Sequence, residues 1–447
     1  QPVARCCAVL ATAELAVARD NPEAALARFE DARRLAPTNR RVLLSLALVH
    51  RYEGRSDAAE RYIRLALQYH PEHPLVHLLA AEYYLDAGRL DRAAREAELT
   101  LSLRPRNEDA LMLRARIAFL RSRYEEAADG AAEVIGVNRG REAAWYLRAA
   151  SLERLDRMEE TVETLELARR AVPESEFMRL YAEQILREHR GPDDELRGDY
   201  ADYHFERASR FVRENRLDRA LVAYRRGLRL SPYHREGRIG FAEIFRTRGY
   251  PAKYLQELEV LASVGEDDQF LIDRIESYRS ALTESPAREW GVDQFSIARR
   301  PMTVDLFLSP AQSDLRHPDG AVVYGRYLRD LMVSRERLSV PRPAALADGF
   351  AQAYGTARTS GSDYFLVAGV REDARSVRLE AELFLSRTGE SVGSFRAYRT
   401  GNGRIERAAG AVVEGVAASV PLRGELLERV DDRVLLSLGA LDGIEAE

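Results

Sequence analysis

The sequence predicts a mainly α-helical fold: an α-solenoid of about seven helix pairs in two sub-arrays, then an α/β sandwich domain and the start of a small β-barrel. Three observations predict it. Prolines recur at Pro37, Pro71 and Pro105, 34 residues apart, and Pro173 lies two such periods further on. Each closes the same apolar spacing: Ala25, Phe29, Ala32; Ala59, Ile63, Ala66; Ala93, Ala97, Thr100; Thr161, Leu165, Ala168. Beyond about residue 302 the apolar period changes from 3.6 to 2, which marks strands.

The chain has 447 residues, too many for one ordinary core. Its net charge of -5 on 31% charged residues mixes both signs and gives no reason to expect nucleic acid or an anionic membrane surface as partner. Lys253 is the only lysine, so the positive charge is almost all arginine. Cys6 and Cys7 are adjacent and cannot close an ordinary disulfide, which excludes a disulfide-stapled module. No run approaches the ~20 apolar residues of a membrane span. The chain begins at Gln1, so a targeting segment or anchor upstream stays open.

In chain order, residues 6–37 read as two helices joined at Asp20-Asn21-Pro22, with proline setting the start of the second. Units at 40–73 and 74–107 turn at Gly54 and Gly88, where glycine tolerates the left-handed conformation. The unit at 108–141 keeps phase but ends in Asn138-Arg139-Gly140, and the unit at 142–175 opens with Trp145. This first sub-array is placed at 1–189. After Pro173 the spacing slips, and the polar loop Gly191-Pro192-Asp193-Asp194-Glu195 suggests a hinge at 190–200. A second sub-array follows at 201–283, closed by a capping helix from Asp268 to Thr283.

Residues 284–301 read as a linker. The domain at 302–420 has strands at Thr303–Leu308, Tyr364–Val370, Val377–Leu385 and Val392–Tyr398, with a short one near Leu338–Val340. Helices are predicted at Pro318–Ser334, Ala344–Thr359 and Arg404–Ser419. Residues 421–447 read as two strands and a Leu-Gly-x-x-Asp-Gly turn at 438–443, the opening of a small β domain that continues past Glu447.

Chemical candidates are few. His70, His73 and His77 lack the spacing and further ligands of a zinc motif and are assigned to a surface turn. Gly401-Asn402-Gly403 precedes a helix but lacks the lysine and hydroxyl of a phosphate loop. No nucleophile elbow, Cys/His arrangement or zincin motif appears. The expectation is a protein without enzymatic activity, metal or cofactor.

The 34-residue pattern resembles the tetratricopeptide repeat, in which positions 2, 5, 9 and 12 of each first helix line a concave groove. The resemblance implies a groove of Arg41, Leu44, Leu48 and Arg51; Leu75, Leu78, Glu82 and Leu85; Asp109, Met112 and Arg116; and Tyr146 and Glu153. Family members that grip a C-terminal carboxylate use asparagine and lysine there, and this chain does not. A leucine-rich groove implies an apolar helix or extended segment of another protein as partner, with Tyr146 and Leu78 as the strongest anchors.

The strand and helix order, with Gly361-Ser362-Asp363-Tyr364 through Val370 and Thr388-Gly389-Glu390, resembles the amino-terminal domain of TolB, the curli secretion protein CsgG and the middle domain of a flagellar basal-body ring protein. That resemblance carries no catalytic residues and implies an envelope address and an assembly role. The reading is a scaffold for assembly of a bacterial cell-envelope structure, best matched by a periplasmic flagellar accessory such as a spirochaete collar component. Membrane association would then come through partners or an upstream anchor. Alternatives are a lipoprotein or outer-membrane assembly factor, and a cytoplasmic regulatory repeat protein whose C-terminal domain binds a ligand.

Overall fold

A computed structural model describes residues 2–18, 21–263, 269–291, 300–310, 317–335, 337–373 and 375–438. The chain forms two compact units, Gln1–Pro173 and Glu174–Glu447.

The first unit is five helix pairs: α1 (Pro2–Ala18) with α2 (Pro22–Leu35), α3 (Arg40–Tyr52) with α4 (Ser56–Tyr69), α5 (Pro74–Asp86) with α6 (Leu90–Leu103), α7 (Glu108–Leu120) with α8 (Tyr124–Val137), and α9 (Glu142–Arg154) with α10 (Met158–Ala171). The pairs can close because alanine stands where helices cross. Ala25, Ala32, Ala59, Ala66, Ala93, Ala97, Ala127 and Ala131 are fully buried, and Phe29, Tyr62 and Ile63 fill the space beside them. Thr100 and Thr161, which replace alanine, satisfy their buried hydroxyls on the carbonyls of Glu96 (2.9 Å) and Arg157 (3.0 Å).

The first helices α3 and α7 are capped by asparagine side chains: Asn39 accepts from the Val42 N–H, and Asn107 from that of Ala110. The turns inside the second to fifth pairs each take a left-handed residue. Gly54 and Gly88 supply it in two pairs, and Ser122 and Asp156 adopt it in the next two. Where Asn138 and Gly140 replace the closing proline, Asn138 Oδ1 accepts from the Gly140 N–H at 2.9 Å, so a side-chain turn does the work of the ring.

The second unit opens with α11 (Glu176–His189), α12 (Glu195–Arg213), α13 (Leu217–Leu230), α14 (Arg235–Thr247), α15 (Pro251–Ala262) and α16 (Gln269–Trp290). The expected hinge at 190–200 is not loose backbone. Asp194 caps α12, and the buried Arg197 donates to the carbonyls of Arg190 (2.9 Å), Arg229 (2.9 Å) and Leu230 (2.7 Å). One guanidinium thus ties the loop to the end of α13, and the division into compact units falls at Pro173/Glu174 instead. The capping helix runs on through residues expected as linker to Trp290; Asp268 and residues 292–299 lie outside the described residues.

The α/β domain follows: β1 (Met302–Leu308), α17 (Gly320–Val333), β2 (Leu338–Ser339), β3 (Ala345–Leu346), α18 (Phe350–Ser360), β4 (Tyr364–Glu372), β5 (Ser376–Leu385), β6 (Ser391–Thr400) and α19 (Arg404–Ser419). The sheet order is β2-β1-β4-β5-β6, with β3 also beside β1. β1 runs parallel to β2, β3 and β4, and β4, β5 and β6 are antiparallel neighbours. The predicted helix from Ala344 starts only at Phe350. Its first residues pair with β1 as β3, and Gly349, at φ 133°, makes the break.

β4 is buried nearly throughout, as its continuous apolar run requires of a strand covered on both faces. Under α18, Phe307, Phe365 and Phe384 form a core in which Phe365 and Phe384 stack at 4.9 Å. α17 and α19 pack on each other, with α17 against β1 and α19 against β5 and β6. Last come β7 (Leu426–Val430) and β8 (Arg433–Leu436), a hairpin turned at Asp431-Asp432 with Asp431 left-handed. The described residues contain this hairpin and no closed barrel; of the turn expected at 438–443, residues 439–443 lie outside them.

Phe205 on α12 sits in a notch made by two glycines. A Cβ added to Gly227 or Gly237 would lie 2.5 Å from its ring. Gly227→Ala should therefore destabilise the second unit by about 1–3 kcal/mol despite the gain in helix propensity. Gly198→Ala, also in a helix but with nothing within 4 Å, should stabilise by about 0.5–1 kcal/mol. Urea unfolding of the two variants checks the pair; equal shifts would mean the notch is not tight.

Candidate partner-binding site

The first helices of successive pairs touch one another, α3 with α5, α5 with α7 and α7 with α9, so they form one continuous face of the first unit. On it, Arg41 is exposed and forks onto Glu14 at 2.8 and 2.7 Å. Arg51 bridges to α5, 2.5 Å from Asp86 and 3.8 Å from Glu82. Asp109 is exposed and pairs with Arg141 at 3.0 Å, while Arg116 and Glu153 are half-buried. Burial pushes the Glu82 carboxyl up, with Asp109 and Asp86 adding to the effect against Arg51 and Arg116. The result is a stripe of alternating charge.

The apolar residues divide. Leu48 and Leu75 are 43% and 44% exposed, but Leu44, Leu78, Leu85, Met112 and Tyr146 are buried, Tyr146 to 2%. This corrects the expected groove, because five of its side chains pack inside the array and cannot meet a partner without unfolding it. Tyr146 and Leu78 are core residues. The open part of the face is Arg41, Leu48, Arg51, Leu75 and Asp109, together with Tyr52, 73% exposed, which the positional rule missed. Its signal was there: Leu48 and Tyr52 stand four apart and share a helix face.

The histidines of the second repeat boundary are engaged separately. The His70 Nε2 lies 2.6 Å from the Thr38 carbonyl, His73 caps α5, and His77 is buried between the Glu96 carboxylate (2.6 Å) and the Pro71 carbonyl (2.7 Å). Trp145 anchors the fifth pair by donating its indole N–H to the Arg139 carbonyl at 2.8 Å.

In the second unit the structure assembles a buried polar seam between α11–α13 and the α/β domain that periodicity could not show. Glu183 accepts a fork from Arg226 at 2.7 and 3.1 Å and lies 2.7 Å from His204 Nε2. Arg207 forks onto Glu406 at 2.7 and 3.0 Å. Glu176 accepts from the N–H groups of Ile405 (2.9 Å) and Glu406 (2.6 Å), so α11 supplies the carboxylate that caps α19. The turn at Gly401–Gly403 thus delivers a helix N-terminus to an anion, and the anion is the protein's own.

Arg187 and Arg229 both hold Asp330, at 2.8 and 2.9 Å, and Phe177 stacks on His317 at 3.8 Å. Burial opposes the charge on Glu183, but Arg226 and His204 outweigh it and hold its carboxyl down at about 2. Burial lowers His204, and burial pushes the Tyr327 hydroxyl well up. Glu176, Glu183 and Glu406 are each spent on donors of the chain itself. The arrangement fixes one element on another.

The first unit is a helical-repeat scaffold, and residues 10–117 carry tetratricopeptide repeats. Tetratricopeptide repeat family models match residues 50–117 and 10–74. A model for the second domain of the TPASS_0648 family matches residues 301–418. No curated protein matches. Among solved structures, a tetratricopeptide repeat protein from Parabacteroides merdae is 14% identical, with 60% of this chain and 97% of that one covered and a TM-score of 0.37. Pseudomonas aeruginosa PilF is 15% identical, covering 55% and 99%, with a TM-score of 0.39. MamA from Desulfovibrio magneticus is 14% identical, covering 44% and 97%, with a TM-score of 0.32.

Proposed function

We propose that this protein is a non-enzymatic scaffold in the assembly of a bacterial cell-envelope structure, a periplasmic flagellar accessory of the collar kind. The first unit grips a helix or extended segment of another envelope protein. The observation that carries the reading is the open face of α3 and α5, where Leu48, Tyr52 and Leu75 stand exposed beside the Arg51–Glu82–Asp86 charges. Apolar anchors within a polar frame suit an amphipathic partner segment. The sequence resemblance of residues 302–420 to envelope assembly domains, carried by Gly361–Val370 and Thr388–Glu390, supports the address.

Leu48→Glu combined with Tyr52→Ala should lower capture of flagellar-motor proteins from an envelope extract by about tenfold or more, the effect of losing two exposed anchors of about 1 kcal/mol each or more. The melting temperature should not move, because both side chains already face water. Undiminished capture would remove this face from the partner interface. Fractionation of cells that leaves the protein in the cytoplasm would overturn the envelope assignment.

A further inference from the structure

A second cleft lies wholly in the second unit, between α13, α14, α15 and the end of α17. Arg225, Arg229, Arg238 and Lys253 line it against a single carboxylate, Glu257. Two of these cations are already matched. Arg229 holds Asp330 at 2.9 Å, and Arg238 holds Glu257 and the Pro232 carbonyl. Arg225 is different. It makes no hydrogen bond or ion pair to any described residue, and its guanidinium stands 5.7 Å from the Phe241 ring centroid. Beside it Lys253 lies 5.4 Å from the Phe245 ring centroid, and Leu228 and Val333 complete an apolar wall.

A half-buried guanidinium without a carboxylate is costly, and the surroundings sharpen the cost: burial, with Arg335 and Arg229 close by, pulls Arg225 down to about 10. What the cleft lacks is an anion that brings its own apolar surface. One free fork matches one carboxylate in bidentate geometry, whereas a dianionic phosphate would call on neighbouring arginines that Asp330 and Glu257 already occupy. Val333, 46% exposed at the rim of the cleft, offers the apolar surface for a side chain adjacent to that carboxylate, with the buried Phe241 and Phe245 behind the fork.

We propose that this cleft binds an acidic, partly apolar peptide segment of a partner protein, with an aspartate or glutamate on Arg225 and a neighbouring aromatic or aliphatic side chain against Val333. The site is separate from the α3–α5 face, so the scaffold joins two partner segments, one on each unit.

The test pans a display library of random short peptides against the full chain at low salt and measures selected, fluorescently labelled peptides individually. Enriched sequences should pair an acidic residue with Phe, Leu or Ile. Their affinity should fall about tenfold or more with Arg225→Gln, as for loss of one charge-assisted fork, and equally when the peptide's acid is made an amide. Arg225→Lys should fall between, and Leu48→Glu should change nothing. Arg225→Gln should fold at least as well as the parent, since it removes a buried, unmatched charge. If it does not fold, Lys253→Gln carries the test in its place, with a smaller loss expected. Peptides that bind the glutamine variant equally, a panning with no acidic consensus, or complete displacement by millimolar inorganic phosphate would each overturn the proposal, the last by making the cleft a phosphate site.

Discussion

Glu183→Gln is expected to destabilise the second unit by about 3–5 kcal/mol, the usual cost of removing one partner of a buried pair. Among the described residues this carboxylate is the one that pairs directly with both Arg226 and His204, and all three lie inside the unit; the next acid, Glu406, is 3.8 Å from Arg226 and already forked by Arg207. Glutamine keeps the shape and one acceptor but leaves Arg226 charged in a poor solvent. Replacing Glu183, His204 and Arg226 together by apolar residues of similar volume should recover most of the loss, because the desolvation cost leaves with the charges. Thermal unfolding followed by circular dichroism checks both; a single-variant loss below about 1 kcal/mol would show the seam to be wetter than its geometry.

The same groups set the acid response. Glu183 is held down at about 2, so its contribution is complete above the ordinary glutamate range near 4.3 and is lost as pH falls from there toward 2. His204 is also lowered, so the unfolded chain binds its proton first, and stability begins to fall below about 6.5. Both run the same way, and the second unit should weaken in two stages on acidification.

The other large effect concerns where the chain can be cut. From the repeat alone, residues 1–285 look self-sufficient, because each pair needs only its neighbours. The structure changes that expectation. Removing 302–447 strips His317 from Phe177, leaves Glu176 without the two N–H groups it accepts from, and deprives Arg207 of Glu406. Uncovering Phe177 alone costs about 1.5–3 kcal/mol, and the orphaned Glu176 carboxylate and Arg207 guanidinium add to it. A 1–285 fragment should keep the helices up to Pro173 and lose protection in α11–α13, while a 1–173 fragment should melt cooperatively. Hydrogen exchange by mass spectrometry separates the cases; native protection of α11–α13 in the shorter chain would mean the seam is dispensable.

The legible part of this fold is the part governed by local rules. Alanine and proline spacing located ten helices of the first unit because helix crossing demands small residues at a fixed step, as Ala59 and Ala66 show. The change of period located β1, β4, β5 and β6, although only β5 keeps a clear alternation of burial while β1 and β4 are buried nearly throughout. The groove was only half legible. Leu48 and Leu78 are both groove residues by the family's rule, yet one is exposed and the other enclosed, since exposure depends on what the next pair brings over each site. The seam was illegible. Glu176, Glu183, Arg207 and Arg226 read as ordinary surface charges of amphipathic helices, and nothing local says that Glu406, more than 150 residues away, closes over them.

Pro173 therefore marks a change in how this protein can evolve. Upstream of it, a unit of 34 residues can be duplicated or lost with only neighbouring surfaces to rematch, so reach along a partner is adjustable in whole steps. Downstream, α11 has surrendered that freedom. Its Phe177, Glu176 and Glu183 are committed to named atoms of other elements, and inserting a single repeat there would break all of them at once. Homologues that vary in length should do so at the amino-terminal end, with the α11 register kept as an immovable origin from which the length is counted.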